Sequence, residues 1–102
     1  MLVIPLQPVP SQVVGTQLSG QDCQISVYQK AFGLFLDLSV GGSLIVAGTI
    51  CENLNRIVRS VYLGFGGDLA FVDTQGDSDP TFDGLGVRYF LVYLSATELP
   101  SG

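Results

Sequence analysis

Apolar and polar positions alternate with a period of two along most of the chain, and Gly, Pro, Asn, Asp and Ser punctuate the runs. Cys23, Ile25 and Val27 alternate with Gln24 and Ser26, which predicts a half-buried strand over residues 23–27 behind a turn at Ser19, Gly20, Gln21 and Asp22. Leu34, Leu36, Leu38 and Val40 alternate with Phe35, Asp37 and Ser39 before Gly41 and Gly42. Two glycines accept the positive φ of a tight hairpin turn, so residues 34–40 and 43–51 are expected to pair antiparallel.

The remaining runs are less regular. Residues 3–6 and 12–18 read as a pair of short extended segments separated by Gln7, Pro8, Val9 and Pro10. Proline lacks an N–H donor and pushes the residue before it towards extended geometry, so this segment is expected to be a loop or an edge. Residues 69–73 predict a short strand and residues 87–95 a long final one. In the final strand Val87, Tyr89, Leu91 and Tyr93 share one face, and Arg88, Phe90, Val92 and Leu94 the other. Both faces are largely apolar, so this strand needs cover on both sides, from its own fold or from a second subunit.

Helix is scarce. Asn53 is a possible cap for a turn over residues 53–61, but the β-branched Ile57, Val58 and Val61 favour a loop that leads into a further strand at residues 60–63. The expected fold is therefore all-β, a single small antiparallel β-sandwich or barrel of about seven or eight strands. With no linker or repeat in view, residues 1–102 read as one domain, with residues 96–102 as a flexible tail.

Composition sharpens this picture. Charged residues make up 13% of the chain, against about 25% in an average soluble domain. Mean hydropathy is +0.47, which argues against intrinsic disorder. The apolar runs at residues 31–36 and 44–47 are far shorter than the about 20 residues of a membrane helix, so no membrane association is expected. Four Lys and Arg residues and a net charge of -5 make nucleic acid a poor partner. The opening residues lack a positive flank, and Pro5 interrupts their apolar run, so synthesis in the cytoplasm without export is expected. Cys23 and Cys51 then read as reduced, buried thiols.

Candidate chemistry is sparse. Asp73, Asp77, Asp79 and Asp83 lie in one loop over residues 73–84, and their oxygens are of the hard type that binds calcium. No bidentate Glu closes the loop and no helices flank it, so a turn shaped by Asp, Gly and Pro80 explains it better than a metal site. There is no His for a nucleophile–base pair or a zinc site, and the carboxylates crowd one turn instead of facing each other across a cleft. No enzymatic activity, metal or cofactor is expected. The glycines of residues 63–69 precede neither a helix nor a Lys, so a bulge or hairpin suits them better than a phosphate loop. Tyr28, Phe32, Phe35, Tyr62, Phe65, Tyr89 and Tyr93 can stack on a sugar, but core and subunit contacts account for them more simply.

The order of features resembles that of the baseplate plug proteins of contractile-tailed, myovirus-type bacteriophages. The resemblance runs through Ile4, Pro5, Leu6, Pro8, Pro10 and Gln12, then Leu18, Gly20, Ile25 and Val27, and the hairpin from Leu36, Asp37 and Leu38 to Leu44, Ile45, Val46, Ala47 and Gly48. It continues through residues 67–73, Asp79 and Pro80, Leu85 and Gly86, and Leu91, Val92 and Tyr93. It implies a structural, non-enzymatic virion component at the base of the tail tube, near the hub, the spike, the tube initiator and the wedge, with self-association in the baseplate a further expectation. Residues 51–58 and the tail carry no recognisable pattern.

The contact elements expected from the residues themselves are Pro8, Val9 and Pro10 in the first loop, and Asp77, Asp79, Pro80 and Phe82 in the acidic loop. Proline keeps an exposed extended segment from pairing indiscriminately and lowers the entropy lost on docking. The competing reading is a small carbohydrate- or receptor-binding β-sandwich; a metal-dependent hydrolase would rest on the acidic loop alone. Four of the nine acids lie in residues 73–83, which leaves the strands nearly uncharged. Such strands are expected to meet protein instead of water, and the isolated chain to be poorly soluble or to self-associate.

Overall fold

The computed structural model describes residues 2–18, 20–58 and 66–95, in which seven strands follow one another. They are β1 (Leu2–Ile4), β2 (Ser11–Leu18), β3 (Gln21–Lys30), β4 (Gly33–Val40), β5 (Ser43–Ile50), β6 (Gly67–Asp73) and β7 (Tyr89–Ser95). The β2, β3, β4 and β5 strands form an antiparallel meander, and a second sheet has the order β1-β7-β6. The two sheets make a small β-sandwich, which decides between the sandwich and the barrel. The strand anticipated at residues 60–63 and the tail at residues 96–102 lie outside the described residues.

The meander follows the period-two pattern. Cys23, Ile25, Val27, Leu34, Leu36 and Leu38 are all buried, while Phe35, Asp37 and Ser39 turn to the other face. Gly41 and Gly42 take φ values of 57° and 86°, as the hairpin requires. The β3 strand is longer than the alternating core of residues 23–27, because Tyr28, Gln29 and Lys30 continue the ladder opposite Phe35, Leu34 and Gly33. The turn before it is correspondingly tight: Leu18 already pairs with Gln21, and Gly20 has φ 73°.

The pairing of β4 with β5 slips between Leu36 and Ser39. Asp37 stabilises that irregularity, since one of its carboxylate oxygens accepts the Gly48 N–H at 2.7 Å and the Tyr28 hydroxyl at 2.9 Å. Gly48 has φ 63°, a conformation that glycine adopts without steric cost.

One boundary is corrected by the second sheet, and one partnership is supplied. The two N-terminal extended segments belong to different sheets: β1 joins β7, whereas β2 joins β3, so the proline loop is a crossover between sheets. The final strand begins at Tyr89 instead of Val87. The Gly84 carbonyl accepts the N–H groups of both Val87 and Arg88, at 3.2 and 2.8 Å, which curls the chain before the ladder starts and leaves Val87 66% exposed. The place of β7 between β1 and β6 satisfies both of its edges; of its faces, Tyr89, Leu91 and Tyr93 meet the core, while Phe90 and Leu94 on the other face are half-buried.

The core lies between the sheets. Leu18, Ile25, Leu36 and Leu38 from the meander meet Ile4, Leu69, Phe71, Leu91 and Tyr93 from the other sheet, with Leu6, Cys51, Ile57, Val58 and Leu85 from the connections. Each such side chain contributes about 1.5–3 kcal/mol by leaving water. Both cysteines are free and buried. Burial pushes the Cys51 thiol up to about 12 and raises the Cys23 thiol as well.

Candidate functional site

The antiparallel register collects most of the connections at one end of the sandwich. Ser11, Lys30, Gly33 and Ile50 mark that end of the meander, and Ile4, Asp73 and Tyr89 that end of the second sheet. Gln29 ties the two sheets together there. Its N–H donates to the Pro10 carbonyl at 2.8 Å, and its side-chain oxygen accepts the Phe82 N–H at 3.1 Å. The two loops singled out from the sequence, one around Pro8 and the other around Phe82, are thus neighbours in space.

The proline loop is shaped by a side chain just beyond it. Gln12 accepts the Gln7 N–H at 2.9 Å and donates back to the Gln7 carbonyl at 2.6 Å. Pro8, Val9 and Pro10 are all exposed on the loop so closed.

The acidic loop is organised by Asp73, whose side chain is fully buried. Its two oxygens accept the Arg88 Nε–H and NH2 donors at 2.8 Å each, and also the N–H groups of Gln75 at 2.9 Å and Ser78 at 2.8 Å. The Arg88 hydrogen bonds, helped by those two amides, hold the Asp73 carboxyl well below the usual carboxylate range despite its desolvation, and Asp73 in turn raises Arg88. Asp79 accepts the Asn53 N–H at 3.0 Å, and Asp83 accepts the Thr81 hydroxyl at 2.5 Å. Asp73, Asp79 and Asp83 are therefore engaged on separate partners around the loop. Among the described residues no group of three or more His, Cys, Asp or Glu is placed to hold a metal ion.

The remaining candidates divide. Asp77 and Asp79 are exposed; Phe82, in a short 3-10 turn over Phe82–Gly84, is half-buried against the core. Pro80 is buried, so it fixes the loop from beneath instead of meeting a neighbour. The following turn is sterically tight: Gly86 has φ 76°, and a Cβ there would collide with the Leu6 carbonyl oxygen. Next to it Val3, Ile4, Pro5, Leu6, Tyr89, Phe90 and Leu91 line a shallow, mainly apolar groove of about 200 Å³.

Sequence reasoning missed two residues of this end. Arg88 was expected on a strand face and instead closes the acidic loop; Gln29 has its partner 53 residues away, where no local pattern reaches. Phe32, one of the aromatics read as core or subunit contacts, lies outside the core, 88% exposed at the tip of the β3–β4 turn. The glycine that follows it, Gly33, was the available turn signal. Just below the tip, Tyr28 and Phe35 stack on the outer face of the meander with ring centres 6.1 Å apart, and the Lys30 ammonium lies 5.4 and 5.9 Å from them. Of the other aromatics, Tyr89 and Tyr93 belong to the core, while Tyr62 and Phe65 lie outside the described residues.

This end offers apolar protrusions among carboxylates, an arrangement suited to contact with another macromolecule. A search of curated proteins found no match for the chain. The family model described as cyanophage baseplate Pam3 plug gp18 matches residues 1–97. With nearly the whole chain matched, the protein belongs to this phage baseplate plug family, a structural family of the virion tail.

Proposed function

We propose that the chain, made in the host cytoplasm, is the plug at the base of the tail tube, where it contacts the hub, the spike and the tube-initiating proteins without catalysing a reaction. The observation that carries this reading is the family match over residues 1–97. The loop end supports it: Pro8, Val9 and Pro10 stand on one exposed loop, Asp77 and Asp79 on its neighbour, and both are fixed by hydrogen bonds before any partner arrives. A pre-formed surface loses less entropy on docking than a disordered one. Phe82 and Pro80 brace that surface from within, and wedge proteins are further candidates for contact with it.

Zero-length carbodiimide coupling in purified tails tests the contacts, since it joins a carboxylate to an amine within direct reach. The expected products link Asp77 or Asp83 to lysines of the hub, spike or tube initiator. Products confined to sheath or fibre proteins would contradict the proposed position.

A further inference from the structure

We infer that the loop end docks through Phe32 as its anchor into an apolar pocket rimmed by lysine and arginine on a different baseplate subunit; this rests on the plug reading above. Phe32 is 88% exposed, a cost in water that cover by a partner removes. The same end exposes further apolar side chains, Val9, Ile50 and Val87, at 38%, 43% and 66%, and Ile50 lies against Gly33, the residue after Phe32. Buried aromatic anchors at the centre of an interface carry a disproportionate share of its binding energy.

Charge selects the occupant. Asp73 and Arg88 neutralise each other, which leaves, among the described residues, Glu52, Asp77, Asp79 and Asp83 on the connections at the anchor's end, against Lys30. A basic rim complements that field, and complementarity of this kind sets the orientation of docking and accelerates encounter. A second copy of the chain does not fit, since a two-fold contact through this end would set the same carboxylates against one another. Lys30 lies over the Tyr28 and Phe35 rings, where it supports the turn from behind.

The test is to grow phage carrying Phe32→Ala, Asp77→Lys with Asp83→Lys, or Leu44→Ala, and to quantify the plug per tail-tube subunit by mass spectrometry of salt-washed particles. Leu44 is 60% exposed beside the β4–β5 turn, at the opposite end, and serves as the control. Phe32→Ala is expected to lower occupancy by about tenfold or more, the double charge reversal to lower it most in a low-salt wash, with the deficit against wild type narrowing as salt rises, and Leu44→Ala to leave it unchanged. Full occupancy with Phe32→Ala, or equal loss with Leu44→Ala, would overturn the inference. So would a dimer of the isolated wild-type chain that Phe32→Ala dissolves, because the occupant would then be a second copy. Absence of the wild-type chain from tails would instead defeat the plug reading itself.

Discussion

Asp73 and Arg88 do together what neither sequence position advertises. A buried carboxylate is costly unless it is paired and hydrogen-bonded, and here two guanidinium donors and two backbone amides meet it. The acidic loop is therefore a folded element with one internal cation, although its composition alone suggested a solvated turn or a calcium site. Because the native carboxyl is held below its unfolded value of about 3.9, the pair stabilises the fold fully above that pH and loses its contribution as pH falls through the native value. Thermal unfolding followed by circular dichroism should show the midpoint dropping below about pH 4. Asp73→Asn should lower the midpoint at pH 7 and flatten that acid dependence. An unchanged acid limb in Asp73→Asn would show that other carboxylates account for it.

At the scale of elements, the meander was legible because its inner residues alternate strictly and its turns carry glycine. The second sheet was less so. β6 and β7 follow one another and pair, but β1 is remote in sequence from its partner β7, so periodicity identifies β1 as extended without saying what it pairs with. The segment after β5 shows the limit most clearly. Residues 51–58 have no strand pattern, yet they run along the outer side of β6: Leu54 and Ile57 donate to the carbonyls of Phe71 and Leu69 at 2.8 and 2.9 Å. Asp68 anchors this strap, since one oxygen of its buried carboxylate accepts the N–H groups of Ile57, Val58 and Leu69 at 3.0, 2.7 and 2.7 Å. Covering a sheet edge in this way guards it against adventitious strand pairing. Asp68→Ala would strand buried amides and should destabilise the protein by roughly 3 kcal/mol or more in urea unfolding. Amide exchange at Ile57 and Val58 should accelerate, and unchanged protection there would contradict the anchoring role.

For the whole molecule, the low charged fraction of 13% acquires a location. The strands face a shared core or an outer surface that carries few charges, Asp37 among them, while Asp73, Asp77, Asp79 and Asp83 gather on one loop at the end that also holds Phe32, Val9 and Val87. The sandwich is thus polarised, with contact chemistry concentrated where the connections meet. That polarity was only partly readable in the sequence: Pro8, Val9, Pro10, Asp77 and Asp79 were visible as loop residues, but their convergence depends on Gln29 and on the crossover between sheets. Family membership places such a molecule in the phage tail baseplate, where an all-protein environment suits it. The most direct test of the account is an image reconstruction of intact tails from the phage that carries this chain. The account predicts a sandwich of two antiparallel sheets at the base of the tail tube with its loop end against the hub, spike or tube initiator. The same sandwich found only in the outer wedges or fibres, or missing from the tail altogether, would contradict it.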